Sequence, residues 1–408
     1  MRLRISLIAL FAAAACVPPA PPAPPAPTTP TRDTAAARDS AEREARAIRE
    51  ARRADSIAVA ERERAKREAA TIRVCAGGDV ALGTNLDTMW AVRAAKAAKR
   101  KRIDPLPDPA RLIAPLRPLV EDADVVLLNV EGAIGDSTPP FAKCGKKSTG
   151  CYAIRMPSAA AAAIRKVNER AIVVANLANN HARDAGAEGL EVTRRLLGEA
   201  GVVMTGVDTL ATVVETPAGD TIAFLGFATS GPPNDARDLE AVRRHVERAV
   251  AAYRRVVVTM HLGAEGKTAQ RTRDSVEIYF EAPRGNPVAF ADVAAGAGAD
   301  LVIGHGPHVL RAAEWRDGTL VLYSLGNLLT YGPFSHGEPM RRGAVACATV
   351  DGRGAVSEAR LHPTVQTAPG RVASDRRRRA IALVDSLSKL DFPRTGARVE
   401  RDGTIGAP

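Results

Sequence analysis

Short runs of β-branched and aliphatic residues recur from Ile72 onward, separated by alanine-rich amphipathic stretches. They cover Ile72 to Ala76, Val125 to Asn129, Ile172 to Asn176, Thr221 to Phe227, Val256 to His261, Leu301 to Gly304, Thr319 to Ser324 and Ala344 to Val350. Runs that are apolar on both faces, alternating with helical segments, predict an α/β sheet arrangement covered on both sides. The composition fits a folded core: 46% of the 408 residues are apolar and 25% are charged. Only 8 Phe, 5 Tyr and 2 Trp are present, so Ala, Val, Leu and Ile must fill that core. The same scarcity argues against stacking platforms for nucleic acid, and no nucleic-acid partner is expected. The net charge of +11 comes from 57 basic residues interleaved with 46 acidic ones, a balance suited to solubility or to attracting anionic polymers.

The segment before these runs has a different character. Arg2 and Arg4 precede an apolar stretch from Ile5 to Ala15, the length of an export-signal core and too short to span a bilayer. It ends in Ala13-Ala14-Ala15-Cys16, which resembles a bacterial lipobox in which Cys16 becomes the lipidated first residue; the alternative is an ordinary cleaved signal with an incidental cysteine. Residues 17–31 are nearly all Pro, Ala and Thr and read as an extended tether. Residues 32–70 are rich in Ala, Arg and Glu and read as a charged helical spacer, with Ile48, Ile57 and Val59 too few for a coiled-coil seam. The organisation expected is therefore a signal at 1–16, a linker at 17–31, a spacer at 32–70, a main domain at 71–368, and a helix with a loose tail at 369–408. The location that follows is the bacterial cell envelope, with a lipid anchor as the only membrane contact. Cys75 and Cys347 fall within strand-like runs and read as core residues. Cys144 and Cys151 bracket a Gly/Lys/Ser loop that could close as a disulfide in an oxidising compartment.

Most apolar runs end in a polar cluster. These are Gly77-Gly78-Asp79, Asn129-Val130-Glu131, Asn179-Asn180-His181 with Asp184, His261-Leu262-Gly263-Ala264-Glu265, and Gly304-His305-Gly306-Pro307-His308. In α/β folds the carboxyl ends of strands form the ligand crevice, so groups arriving there from different strands converge. Four of the seven histidines sit in these clusters, with Asp79, Glu131 and Asn180 beside them. Imidazole, carboxylate and amide oxygen suit divalent Mn, Zn or Fe. The ligands are too many for one tetrahedral ion, and two ions bridged by a carboxylate would use them all. His245, His336 and His362 lie outside these clusters.

The order Gly-Asp, Asn-x-Glu, Asn-Asn-His, His-x-Gly-x-Glu, Gly-His-x-x-His and Tyr323-Ser324-Leu325-Gly326-Asn327 resembles the CapA family of poly-γ-glutamate capsule biosynthesis proteins, a branch of the calcineurin-like metallophosphatases. The likeness runs from about Ile72 to His362. It implies a four-layer αββα sandwich with a dinuclear metal site at the strand ends. By the same likeness Asp79 and His308 would hold the first metal, Glu131 would bridge, and Asn180, His261 and His305 would hold the second. His181 would be the general acid, steadied by Asp184, with Asn129, Glu265 and Asn327 as supporting groups or further ligands. The chain departs from phosphatases in having Ala81 two residues after Asp79, where an imidazole ligand would stand, and Glu131 in place of a bridging Asp. The expected activity is hydrolysis, of a phosphoester or an amide, on an anionic surface polymer such as poly-γ-glutamate. The alternative is a non-catalytic, metal-containing binding or export subunit working with other capsule-synthesis proteins. Basic stretches at Lys96 to Arg102 and at Lys143, Lys146 and Lys147 are the expected holders of the polymer.

Overall fold

The computed structural model describes residues 32–82, 107–136, 152–230, 233–332 and 336–408. Cys16, the Pro/Ala tether, Lys96 to Arg102, Lys143, Lys146, Lys147, Cys144 and Cys151 all lie outside the described residues. The chain separates into two units, Met1–Glu63 and Arg64–Pro408. The described part of the first is helical and belongs to α1 (Arg32–Ala69). Ion pairs at helical spacing, Arg43 with Asp39 and Arg46 with Glu50, both at 2.9 Å, brace it, and its few apolar residues Ile48, Ile57 and Val59 are exposed. Among the described residues no helix is long and apolar enough to cross a membrane.

The second unit is built on two sheets. Its main strands are β1 (Ile72–Ala81), β2 (Val125–Val130), β3 (Ile172–Asn176), β4 (Val203–Thr205), β5 (Thr212–Glu215), β6 (Thr221–Ala228), β7 (Val256–His261), the hairpin pair β8 (Ile278–Tyr279) and β9 (Ala282–Pro283), β10 (Leu301–His305), β11 (Ala313–Arg316), β12 (Thr319–Leu322), β13 (Asn327–Thr330), β14 (Arg342–Val350), β15 (Val356–Thr367) and β16 (Arg371–Ser374). One sheet runs β16-β15-β14-β1-β2-β3-β4 with β13 also beside β1; the other runs β11-β12-β10-β7-β6-β5.

Alternation along each strand explains the layers. Val74 and Ala76 of β1 and Val125 and Leu127 of β2 face Val257, Leu301 and Ile303 of the other sheet across one buried cluster. Cys75, Val126 and Leu128 point the opposite way, against α2 (Pro109–Ile113), α3 (Ala159–Arg165) and α4 (Gly186–Glu199). On the far side, Val256, Val258 and Met260 of β7 pack on α5 (Leu239–Ala252) and α6 (Pro287–Gly296). The result is the four-layer αββα sandwich expected from the sequence.

Two details differ from the sequence reading. Cys75 and Cys347 are buried, as expected, but they form a disulfide rather than standing as core thiols. Antiparallel pairing of β1 with β14 sets them directly opposite each other, across a sequence separation of 272. The last helix forms as expected, but the tail from Asp402 to Pro408 is tied in rather than loose. β16 extends the first sheet, Ala380, Ile381 and Val384 of α7 (Arg379–Asp391) enter the core between the sheets, and Gly403 O and Gly406 O accept from Leu361 N and Trp315 Nε1.

Candidate metal centre

Strand register assembles the site. In the first sheet Asp79 is level with Asn327 on one side and Asn129 on the other, and Asn129 is level with Asn176. In the second sheet His261 and His305 are register partners. Both polar rows lie at the carboxyl ends of parallel strands, so the two sheets present acids and amides on one side and imidazoles on the other. Asp79, Glu131, His261 and His305 are almost completely buried.

On the first sheet, an amide network fixes the acid. Asn129 Nδ2 donates to Asp79 Oδ1 at 2.8 Å and also lies 3.2 Å from His261 Nδ1. Its own Oδ1 accepts from Asn176 Nδ2 at 3.0 Å and Asn179 Nδ2 at 3.2 Å. Asn176 and Asn179 carry this network, and their position in the Asn-rich cluster after β3 is the sequence signal for it. His181 Nδ1 lies 2.6 Å from Asp184 Oδ2, which also accepts from Ile154 N, so the ring is held with Nε2 3.9 Å from Glu131 Oε1.

The second sheet closes the site from the other side. His308 Nδ1 is 2.8 Å from Asp79 Oδ2 and 3.8 Å from Glu131 Oε2, and its Nε2 is 3.6 Å from Glu265 Oε2. His261 Nε2 lies 3.7 Å from Glu131 Oε1, and His305 Nδ1 lies 3.9 Å from Asp79 Oδ1. His308 adopts φ of +59°, a left-handed conformation uncommon for a residue with a Cβ and a form of strain that collects at functional sites. Gly306 is needed for a different reason: a Cβ there would sit 3.2 Å from His261 Nε2, in the space the imidazole faces. At Gly78 a Cβ would lie 2.0 Å from Gly326 O, so glycine lets β1 press against the loop that delivers Asn327.

Burial and charge set the protonation states. Burial pushes Glu131 well above the usual carboxylate range. Burial acts the same way on Asp79, but the hydrogen bond and charge of His308, with His261 and His305 beyond it, outweigh it and hold Asp79 low. Burial lowers His261 well below its ordinary value and takes His305 down to about 4, so both rings are neutral and able to offer a lone pair. His308 goes the other way: the charge of Glu131 and the bond to Asp79 override its burial and raise it. Two carboxylates side by side, driven apart in acidity, mark a place where a further positive charge would be accepted.

The donor set fits divalent cations. One oxygen each of Asp79 and Glu131 and one nitrogen of His308 lie within 4.8 Å of one another. Among the described residues Glu131 Oε1, His261 Nε2 and both ring nitrogens of His305 have no hydrogen-bond partner, although polar atoms at such depth are normally paired. His261 and His305 stand outside the compact triad, on the Glu131 Oε1 and Asp79 Oδ1 sides. Ala81 is fully buried and lines the cavity beside these ligands.

A cavity of about 420 Å³ opens beside the acids, lined among others by Glu131, Asn180, His181, Glu265, His308 and Asn327. Its outer wall was not legible in the sequence. Arg284 Nη2 pairs with Glu265 Oε1 at 2.7 Å, and the β8–β9 hairpin brings Tyr279 and Phe280 over the opening, the rings 4.4 Å apart and Phe280 71% exposed. The fully buried Arg311 clasps Glu277 at 2.8 and 2.7 Å and so ties this excursion to the loop carrying His308. His336 sits at the margin, its Nε2 2.9 Å from the carbonyl of Thr330. His245 and His362 are away from the cavity.

Fold and site together define an α/β sandwich with a candidate metal centre between the carboxyl ends of its two sheets. Residues 73–331, more than half of the chain, match the family described as bacterial capsule synthesis protein PGA_cap, and the chain belongs to that family. It is 29% identical over 185 residues to the capsule biosynthesis protein CapA of Bacillus anthracis, covering 41% of this chain and 42% of that one. It is 29% identical over 182 residues to the PGA biosynthesis protein CapA of Bacillus subtilis, covering 41% and 44%. The chain thus spans less than half the length of these curated relatives. Among solved structures, a 5'-nucleotidase precursor from Thermus thermophilus aligns at 14% identity and TM-score 0.38, over 80% of this chain and 60% of that one. A 5'-nucleotidase-like protein from Staphylococcus aureus aligns at 13% and 0.40, over 78% and 59%.

Proposed function

We propose that this capsule-synthesis family member is an exported, lipid-anchored, metal-dependent hydrolase of the metallophosphatase kind, acting on an anionic cell-surface polymer or its precursor. One observation carries the reading: the buried Asp79, Glu131, His261 and His305 and the half-buried His308 converge beside the His181–Asp184 pair at the edge of one cavity. Asp79, His308 and Glu131 would hold one divalent ion, and Glu131, Asn180, His261 and His305 a second. Such ions would supply Lewis acidity and lower the pKa of a water beside them. The protein's own part is to orient these ligands through Asn129, to neutralise Glu265 with Arg284, and to offer a proton from His181 Nε2 into the cavity while Asp184 fixes the other nitrogen. The test is metal analysis of the purified full-length protein, coupled to hydrolysis of model phosphodiesters and γ-glutamyl peptides. About two equivalents of metal with turnover of either substrate class supports the proposal, and absence of both overturns it.

The disulfide supports an oxidising compartment, as an exported protein would meet. The proposed anchor at Cys16 has its own test. Cys16→Ser should turn a membrane-sedimenting protein into a released one or an unprocessed precursor, and a correctly processed variant that still needs detergent for extraction would sink the anchor. A second reading, a non-catalytic metal-containing subunit of a capsule-polymer complex, is favoured by Ala81, which leaves the first metal one imidazole short.

A further inference from the structure

We infer that a run of arginines leading from the cavity margin to the start of α7 is a track for a linear polycarboxylate chain; this rests on the anionic-polymer reading above. Met340 and Thr330 line the cavity. Arg341 follows Met340 directly, and Arg371 follows Gly370, whose backbone lies against Thr330. From Arg371, β16 leads away for roughly 3.3 Å per residue to four consecutive exposed arginines, Arg376, Arg377, Arg378 and Arg379.

Two acids beside these arginines, Asp375 and Glu338, are already engaged. Asp375 accepts from Arg342 Nη1 at 2.9 Å, from Arg379 N at 2.8 Å, and from Arg377 N and Ala380 N, both at 3.2 Å. Glu338 is held by Arg342 Nε and Nη2 at 2.8 and 2.6 Å. Among the described residues no carboxylate lies within 4.0 Å of the guanidinium of Arg341, Arg371, Arg376, Arg377 or Arg379, and Arg378 bonds the carbonyl of Arg401. Local stability does not account for the arrangement. Cations at a helix N-terminus oppose the helix dipole, and Arg378 stands in the left-handed region at φ of +52°.

Two features favour a polyanion over a lipid surface. The arginines form a line that starts at the cavity, and no large apolar side chain is exposed between Arg371 and Arg379 to enter a bilayer. Guanidinium groups spaced along a strand and a turn can pair in succession with carboxylates on a flexible chain. One end of that chain would then be delivered to the metal centre.

The test measures binding of a fluorescent poly-glutamate chain to the full-length protein at low ionic strength. The triple variant R376Q/R377Q/R379Q should weaken binding about tenfold or more, with a shallower salt dependence. The charge-matched variant R194Q/R195Q/R243Q, on α4 and α5, should bind within about twofold of wild type. Equal binding by the first variant, or equal weakening by both, overturns the track. So does binding of wild type to phosphatidylglycerol vesicles but not to the polypeptide. The hydrolase reading fails separately: a protein without metal or turnover that still binds poly-glutamate through these arginines keeps the track and loses the hydrolase.

Discussion

The two sheets contribute to the candidate centre in different ways. The first delivers most of its groups already held: Asp79 is bonded by Asn129, Asn129 by Asn176 and Asn179, and His181 by Asp184, while Glu131 Oε1 finds no partner among the described residues. The second delivers His261 Nε2 and both ring nitrogens of His305 with no partner among the described residues. Polar atoms at such depth normally pair, so the amide network of the first sheet reads as a fixed template, and the unpaired atoms of His261, His305 and Glu131 as positions that a bound cation would complete.

The contrast is broken hardest from the imidazole side. His305→Ala should release at least one metal equivalent and bring turnover to background, and unchanged stoichiometry would refute the assignment of His305 as a ligand. His181→Ala asks whether the first sheet also supplies chemistry. Metal content and Tm should stay near wild type while turnover falls by about 10²- to 10⁴-fold. If turnover is untouched, the binding-subunit reading is the better one.

Asn129→Ala tests the template. Metal affinity should drop by about 10- to 100-fold without being abolished, because the orienting bond is lost and the ligand is not. Affinity equal to wild type would show that the amide network is only packing.

The smallest effect lies at the opposite end of β10. Burial raises Asp300 from 3.8 to about 7, against the bond it accepts from Val256 N. The folded protein therefore keeps a proton that the unfolded chain releases near pH 4. Stability from this group is present below about pH 4 and is lost as pH rises toward 7. Asp300→Asn should flatten the Tm profile across that window by a few degrees, roughly the size expected of a partly buried group. An unchanged slope would assign the pH response elsewhere.

Much of this was readable in the sequence, for a physical reason. Strands buried on both faces write themselves as apolar runs, and their ends write themselves as polar clusters, so Asp79, Glu131, His181, His261, His305 and His308 could be gathered before any coordinates. Features fixed by register or by distant loops could not be. Cys75 meets Cys347 only because β1 pairs with β14. The β8–β9 turn places Phe280 and Glu281 at positive φ, where Asn-Gly would have announced a hairpin. Arg284 reaches Glu265 across 19 positions that carry no periodic signal.

The Cys75–Cys347 bond encloses every proposed ligand, the His181–Asp184 pair and Asn327 within a single covalent ring. A protease that cuts once anywhere between those cysteines opens the ring without parting it. Such a nicked molecule would run as one species until reduced and as two fragments afterwards, with the halves of the metal centre still attached to each other by sulfur.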